Sequence, residues 1–213
     1  MTRDIINEEY WKQTLMNTIW KTFLAAQLAS AEGQELTFAE LDNVRGKALY
    51  PVANLAALSI TGKDAAKLLQ GQVTCNVNDI SETNSSIAAM CNPKGRAIAT
   101  FLLAKSADAF VLVIPAELLE TVKKKLQMYV LRSEVTITDR SDDLCLFGIW
   151  DTEKSLHVYS SDSQHLLISI KLPVSSRRKL LLMAADKAIQ FWQEHLGQHG
   201  FRQAGMDEWR YLD

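Results

Sequence analysis

Apolar residues recur at two different periods along this chain, and the changes of period divide it into elements. From about residue 7 to 31, Tyr10, Trp11, Leu15, Ile19, Trp20, Phe23 and Leu24 return every three or four positions, with Lys12, Asn17 and Lys21 elsewhere. This spacing predicts an amphipathic helix that packs on the body of the protein, ended by the polar stretch around Gly33. A strand is expected over residues 56–61, stopped by Gly62. A short helix follows over 63–70, with Ala66, Leu68 and Leu69 on its buried side and Gly71 as the residue that ends it. After the turn-rich QVTCNVNDI come two runs, SSIAAM and AIATFLLA, which hardly alternate and so predict largely buried antiparallel strands. Between them lies CNPKGR.

Asn92, Pro93, Lys94 and Gly95 fit the four positions of a type I turn. Asn bonds back to the backbone, Pro pre-sets φ, and Gly is favoured last. Further on, a strand is expected at 110–114, and Pro115 opens a helix where its missing N–H costs little. Leu118, Leu119, Val122, Leu126, Tyr129 and Val130 form the apolar stripe of that helix. Lys123, Lys124 and Lys125 cannot share one face and read as solvated surface, with nucleic-acid contact the alternative. SEVTITD alternates as a half-buried strand. The order β-α-β-β-α-β is the ferredoxin-like split arrangement, an antiparallel sheet with its helices on one face.

Residues 140–143 are a polar break and a candidate domain boundary. LCLFGIW, SLHVYS, HLLISI and KLLLMA predict four short strands. Residues 186–195 predict a helix capped by Asp186 and stopped by Gly197, and Asp207 would cap a short final helix. The fold class is therefore α+β. An N-terminal helical extension (1–45) precedes a ferredoxin-like domain (46–140 with 205–213) and a second, smaller α+β domain (141–204).

Composition narrows the function classes. The 213 residues carry a formal charge of −2 and a pI near 6, which argues against a general nucleic-acid-binding surface. Cys75, Cys91 and Cys145 are odd in number and far apart, with no CxxC, so neither a zinc site nor a disulfide framework is supported. Residues 1–13 contain Asp4, Glu8 and Glu9 and lack the apolar core of a signal peptide, and no apolar run is long enough to span a bilayer. A cytoplasmic protein without membrane contact is expected.

Candidate chemistry is sparse. His195 and His199 have i, i+4 spacing, but Gly197 between them weakens the helix a metal pair would need. No P-loop, GxGxxG, GxSxG or paired-carboxylate motif is present. Cys91 reads as a buried small hydrophobe. Lys94 and Arg96 at the hairpin tip are either solvated charges or, beside free backbone N–H groups, a site for an anion.

LSITGKDAAKLLQGQVTCNV, CNPKGRAIATFLL and YVLRSEVTITD, in this order and spacing, resemble the YgfZ family of folate-binding proteins, whose fold is related to the aminomethyltransferase of the glycine cleavage system. The resemblance covers residues 52–213. It implies a reduced folate, tetrahydrofolate, as ligand, and a role in assembly or repair of iron–sulfur enzymes, including those that thiomethylate tRNA. Folate and iron–sulfur client proteins are the partners it implies, with no direct nucleic-acid contact. Trp209 in DEWRYLD matches a family Trp that contacts folate, which suits the flat pterin. Lys94 and Arg96 would meet a carboxylate, with Asn92 and Gln72 beside them, although Gln70, Gly71 and Gln72 also serve to close a helix end. A second family Trp falls at Leu55. The aminomethyltransferase's folate-assisting Asp falls at Ala99 and Thr100, so the resemblance implies a non-catalytic scaffold. A folate-dependent one-carbon transferase and a folate-free interaction module are the alternatives. Asp213 stands ahead of the place where the family carries KGCxxGQE and a C-terminal β-barrel.

Overall fold

The computed structural model describes residues 17–30, 46–151, 168–171, 178–205 and 208–209. The chain forms two compact units, one from residues 1–53, 142–158 and 171–213, the other from 54–141 and 159–170. One strand, Ile168–Lys171, straddles that division. Its hydrogen bonding at a sheet edge makes it a member of the first unit's sheet.

The first unit carries helix α1 (Thr18–Ser30), strand β1 (Ala48–Pro51), and strands β7 (Leu144–Trp150), β8 (Ile168–Lys171) and β9 (Arg178–Ala184). Helix α4 (Ala185–Gln198) and the two-residue strand β10 (Arg202–Gln203) complete it. The sheet order is β10-β1-β7-β9-β8, with β1 parallel to β10 and antiparallel to β7, and β7 antiparallel to β9. Trp20 of α1, Phe147 of β7 and Trp192 of α4 meet with ring centroids 5.4–5.7 Å apart, all three buried. Aromatic burial of this size dominates a core. It corrects the expected organisation: α1 is an integral wall of the first unit, not an extension. Residues 46–53 and 205–213 also belong here, because β1 pairs with β7 and β10, and Trp209 packs on Tyr50. The second unit runs to residue 141 and the first resumes at 142.

The end of this unit differs from expectation in two details. Helix α4 begins at Ala185 with Ala184 as its cap, so Asp186 lies in the first turn and caps nothing. Gly197 falls inside the helix, which runs on to Gln198. A glycine inside a helix costs about 1 kcal/mol, and the burial of Ala188 and Trp192 outweighs it. SLHVYS, Asp207 and the part of the N-terminal stripe before Asn17, Trp11 included, lie outside the described residues.

The second unit runs β2 (Leu55–Thr61), α2 (Ala65–Gln70), β3 (Ser86–Cys91), β4 (Ala97–Ser106), β5 (Ala109–Pro115), α3 (Leu119–Val130) and β6 (Thr136–Asp139). Its sheet order is β3-β4-β5-β2-β6, every neighbouring pair antiparallel. β4, β5, β2 and β6 are the split β-α-β-β-α-β core, and β3 is an added edge strand. Ala56, Leu58, Ile60, Phe101, Leu103, Leu112 and Ile114 share one core with Leu68 and Leu69 of α2 and with Leu119, Val122 and Leu126 of α3. Both helices therefore cover one face of the sheet.

β3 and β4 are not buried on both sides as expected. Ala88, Met90, Ala99 and Phe101 point into the core, whereas Ile87, Cys91, Ala97 and Thr100 are exposed. The small side chains conceal this alternation from a hydropathy reading. Gly71 ends α2 at φ −82°, an ordinary helical value, so its glycine freedom is not used there.

Candidate functional site

The hairpin tip joining β3 to β4 is built around Asn92. Gly95 N–H donates to the Asn92 carbonyl at 2.9 Å, which closes the turn. The Asn92 side-chain oxygen accepts from Lys94 N–H at 2.9 Å and Arg96 N–H at 3.0 Å, and Asn92 N–H donates to the Arg96 carbonyl at 2.9 Å. Gly95 sits at φ +76°, a conformation other residues adopt at a cost. The expected turn is therefore present. The backbone N–H groups of Lys94 and Arg96 are already spent on Asn92, so any anion binding here falls to the side chains. Both cations are exposed and make no ion pair with a described residue.

Gln72 lies alongside this tip. Val73 bridges Met90 in antiparallel register, which brings Gln72 next to Cys91 at the foot of the turn. Its own N–H donates to the Leu69 carbonyl at 2.8 Å and closes α2. Gln70 accepts from Val77 N–H at 2.7 Å through its side-chain oxygen, holding the following loop. Asn92, Lys94, Arg96 and Gln72 thus form one neighbourhood in the second unit. Cys91 corrects its expectation: it is exposed, because it falls on the outward phase of β3.

Trp209, in the first unit, occupies a different environment. It is 5% exposed. The Arg178 guanidinium carbon stands 3.8 Å from the indole centroid, and Arg178 Nη2 donates to the Trp209 carbonyl at 2.7 Å. Tyr50 packs at 5.2 Å. The Tyr50 hydroxyl donates to a Glu208 carboxylate oxygen at 2.8 Å, and Arg202 grips both oxygens of the same carboxylate. Burial, with the Glu208 carboxylate as hydrogen-bond partner, raises the Tyr50 pKa above its ordinary value, so the phenol stays a donor. Burial alone would lower the pKa of Arg202, but the bond to Glu208 outweighs it and keeps the guanidinium charged.

Tyr50, Arg178, Arg202 and Glu208 were not singled out by sequence pattern. None belongs to a motif or to a periodic stripe, and only Glu208, adjacent to Trp209, carried a positional hint. Of the remaining candidates, His195 stacks on Phe191 at 3.7 Å and donates through Nδ1–H to the Phe191 carbonyl at 2.8 Å, with His199 4.9 Å away. Among the described residues no group of three His, Cys, Asp or Glu side chains could hold a metal ion. Ala99 is buried and Thr100 exposed on β4, so that stretch offers no carboxylate; Leu55 opens β2, half-buried.

A folate carries a flat pterin at one end and carboxylates at the other. At the hairpin tip two exposed cations, without an ion pair among the described residues, project from a turn held by four hydrogen bonds. Trp209 is 5% exposed, with Arg178 on its ring and Tyr50 and Gly148 packed against it, so its indole is enclosed.

Two antiparallel-rich sheets, one of them a split β-α-β-β-α-β sheet with helices on a single face, define the class of domain. A family model described as the GCVT N-terminal domain matches residues 10–154, more than half of the chain, and the chain belongs to that family. It is 32% identical over 116 residues to a tRNA-modifying protein YgfZ of Colwellia psychrerythraea, covering 54% of this chain and 36% of that protein. It is also 32% identical over 101 residues to a tRNA-modifying protein YgfZ of Cronobacter sakazakii, covering 47% and 30%. These matches span about a third of the relatives' length. Among solved structures, the glycine cleavage system aminomethyltransferase T of Bartonella henselae has a TM-score of 0.65 at 11% identity, over 79% of this chain and 50% of that one, a likeness of fold. No helix among the described residues is long and apolar enough to cross a membrane.

Proposed function

We propose that this chain is a folate-binding scaffold of the YgfZ type, which supports iron–sulfur protein maturation and tRNA thiomethylation in the cytoplasm without catalysing group transfer. The observation that carries the reading is the CNPKGR tip: an Asn-locked turn holding Lys94 and Arg96 in solvent, in a chain with YgfZ relatives. Lys94 and Arg96 would neutralise a folate carboxylate. Asn92 acts through the turn it locks, and Gln72 beside the tip adds a neutral amide. Trp209 would wall the pterin, which requires the Arg178 guanidinium to give up the ring face. Bound tetrahydrofolate would supply a one-carbon carrier. The absence of a carboxylate at Ala99 and Thr100 speaks against aminomethyl transfer by this chain.

The test is a titration with tetrahydrofolate, followed by tryptophan fluorescence, in wild type, Trp209→Phe and the double variant Lys94→Ala with Arg96→Ala. Saturable quenching that is weakened by loss of the cations and reduced in Trp209→Phe supports the reading. No quenching at millimolar ligand overturns it, and turnover of an aminomethyl donor would replace it with the transferase.

A further inference from the structure

The outward face of α3 differs from the rest of the protein's surface. Its inward stripe, Leu119, Val122 and Leu126, is fully buried, while Met128 is 70% exposed, Leu131 87% and Tyr129, at the margin, 51%. Helical spacing sets Thr121, Lys124 and Met128 along one outward line, with Glu120 beside its start. Leu131 ends the helix at φ +39°, ψ −103°, a backbone state that disfavours leucine and is kept only where something compensates it. Lys124 and Arg132 are exposed and make no ion pair with a described residue; Glu120 has only Lys123, at 3.5 Å along the same helix. The face therefore runs from an acid, through a long aliphatic stem and a thioether, to an exposed leucine and a cation.

That order is complementary to itself when reversed. We propose that two copies of this chain pair through antiparallel α3 helices about a twofold axis. With the axis between Lys124 and Met128, the Lys124 stem of each copy covers Met128 of the other, Thr121 leaves room for Leu131, and Glu120 meets Arg132. Amphipathic lysine stems cover apolar surface in this way while keeping the charge wet. A nucleic acid fits the face less well: Lys124 and Arg132 would attract its phosphates, but Met128 and Leu131 between them have no ring to stack on a base. A contact of about three helical turns lies at the small end of specific interfaces, so the dimer is weak and depends on concentration.

Sedimentation velocity of the whole chain across the micromolar range at low salt reads the association directly. The wild type is expected to shift from monomer to dimer, and Met128→Glu to stay monomeric with unchanged circular dichroism. Glu120→Arg and Arg132→Glu, each alone, should weaken association about tenfold, and their combination should restore it. A wild type that is monomeric throughout overturns the proposal, as does a dimer indifferent to Met128→Glu, or failure of the paired reversal to rescue. Binding of tRNA or of phosphatidylglycerol vesicles that Met128→Glu abolishes, without self-association, also overturns it.

Discussion

Arg178 holds Trp209 at two points: its guanidinium lies on the indole at 3.8 Å and donates to the Trp209 carbonyl at 2.7 Å. Arg178 is 1% exposed, so both contacts form away from water. A desolvated cation–π contact contributes up to about 2 kcal/mol and a charged hydrogen bond about 1.5–3 kcal/mol. Arg178→Met should therefore lower stability by about 2–4 kcal/mol. Arg178→Lys should recover little of this, since an ammonium cannot both stack and donate in a planar fork. Urea unfolding monitored by circular dichroism measures each. A loss within error of zero for Arg178→Met would show that the contact carries no stability.

Gly148 on β7 is required by the same indole. A Cβ placed there would stand 2.3 Å from Cζ3 of Trp209, far inside contact distance. Overpacking of this kind costs about 1–3 kcal/mol. Gly148→Ala should destabilise by that amount, and much less in a Trp209→Ala background, where the obstruction is gone. Additive losses in the double-mutant cycle would contradict the packing described.

Alkaline pH should weaken the fold through Cys145 and Tyr50. Burial, with Asp186 nearby adding a smaller effect, pushes the Cys145 thiol up to about 12, and burial raises Tyr50. A raised folded-state pKa means that the unfolded chain releases the proton first. The stability is thus full below the unfolded pKa, about 8.5 for Cys and about 10 for Tyr, and declines as pH rises above it. Cys145→Ala should flatten the decline between pH ~9 and ~11, and Tyr50→Phe the decline above pH ~10. Thermal melts across this range read both slopes; unchanged slopes would refute the assignment.

The three thiols should also separate by access. Cys91 is exposed, Cys75 half-buried and Cys145 buried. A disulfide-exchange reagent at neutral pH should modify Cys91 rapidly, Cys75 more slowly and Cys145 only on unfolding. Rapid labelling that survives in Cys91→Ala would place the reactive thiol elsewhere.

The hairpin tip should tolerate loss of charge but not of geometry. Gly95→Ala meets no neighbour within 4 Å, yet must adopt φ +76°, and should cost about 1 kcal/mol. Asn92→Ala removes the acceptor of two N–H groups and should cost about 1–2 kcal/mol. Lys94→Ala and Arg96→Ala, both exposed, should leave the melting temperature nearly unchanged.

What the amino-acid order determined by itself was local. Gly95 and Pro93 dictate a turn, the stripe of Leu119, Val122 and Leu126 dictates which side of α3 is buried, and periodicity places the strands and helices of the second unit in sequence, because each rests on neighbours within a few residues; that β3 is an edge strand outside the split β-α-β-β-α-β core came from sheet pairing. Tertiary structure decided the rest. Tyr50 and Glu208 are 158 positions apart yet share a hydrogen bond, and Trp20 becomes a core residue only by meeting Phe147 and Trp192. Strand pairing between β1, β7 and β10 and the packing of Trp209 on Tyr50 joined residues 46–53 and Trp209 in one unit, and the phase of β3 turned Cys91 outward. Such long-range pairings depend on which surfaces can exclude water together, and no periodicity within a single segment encodes its partner.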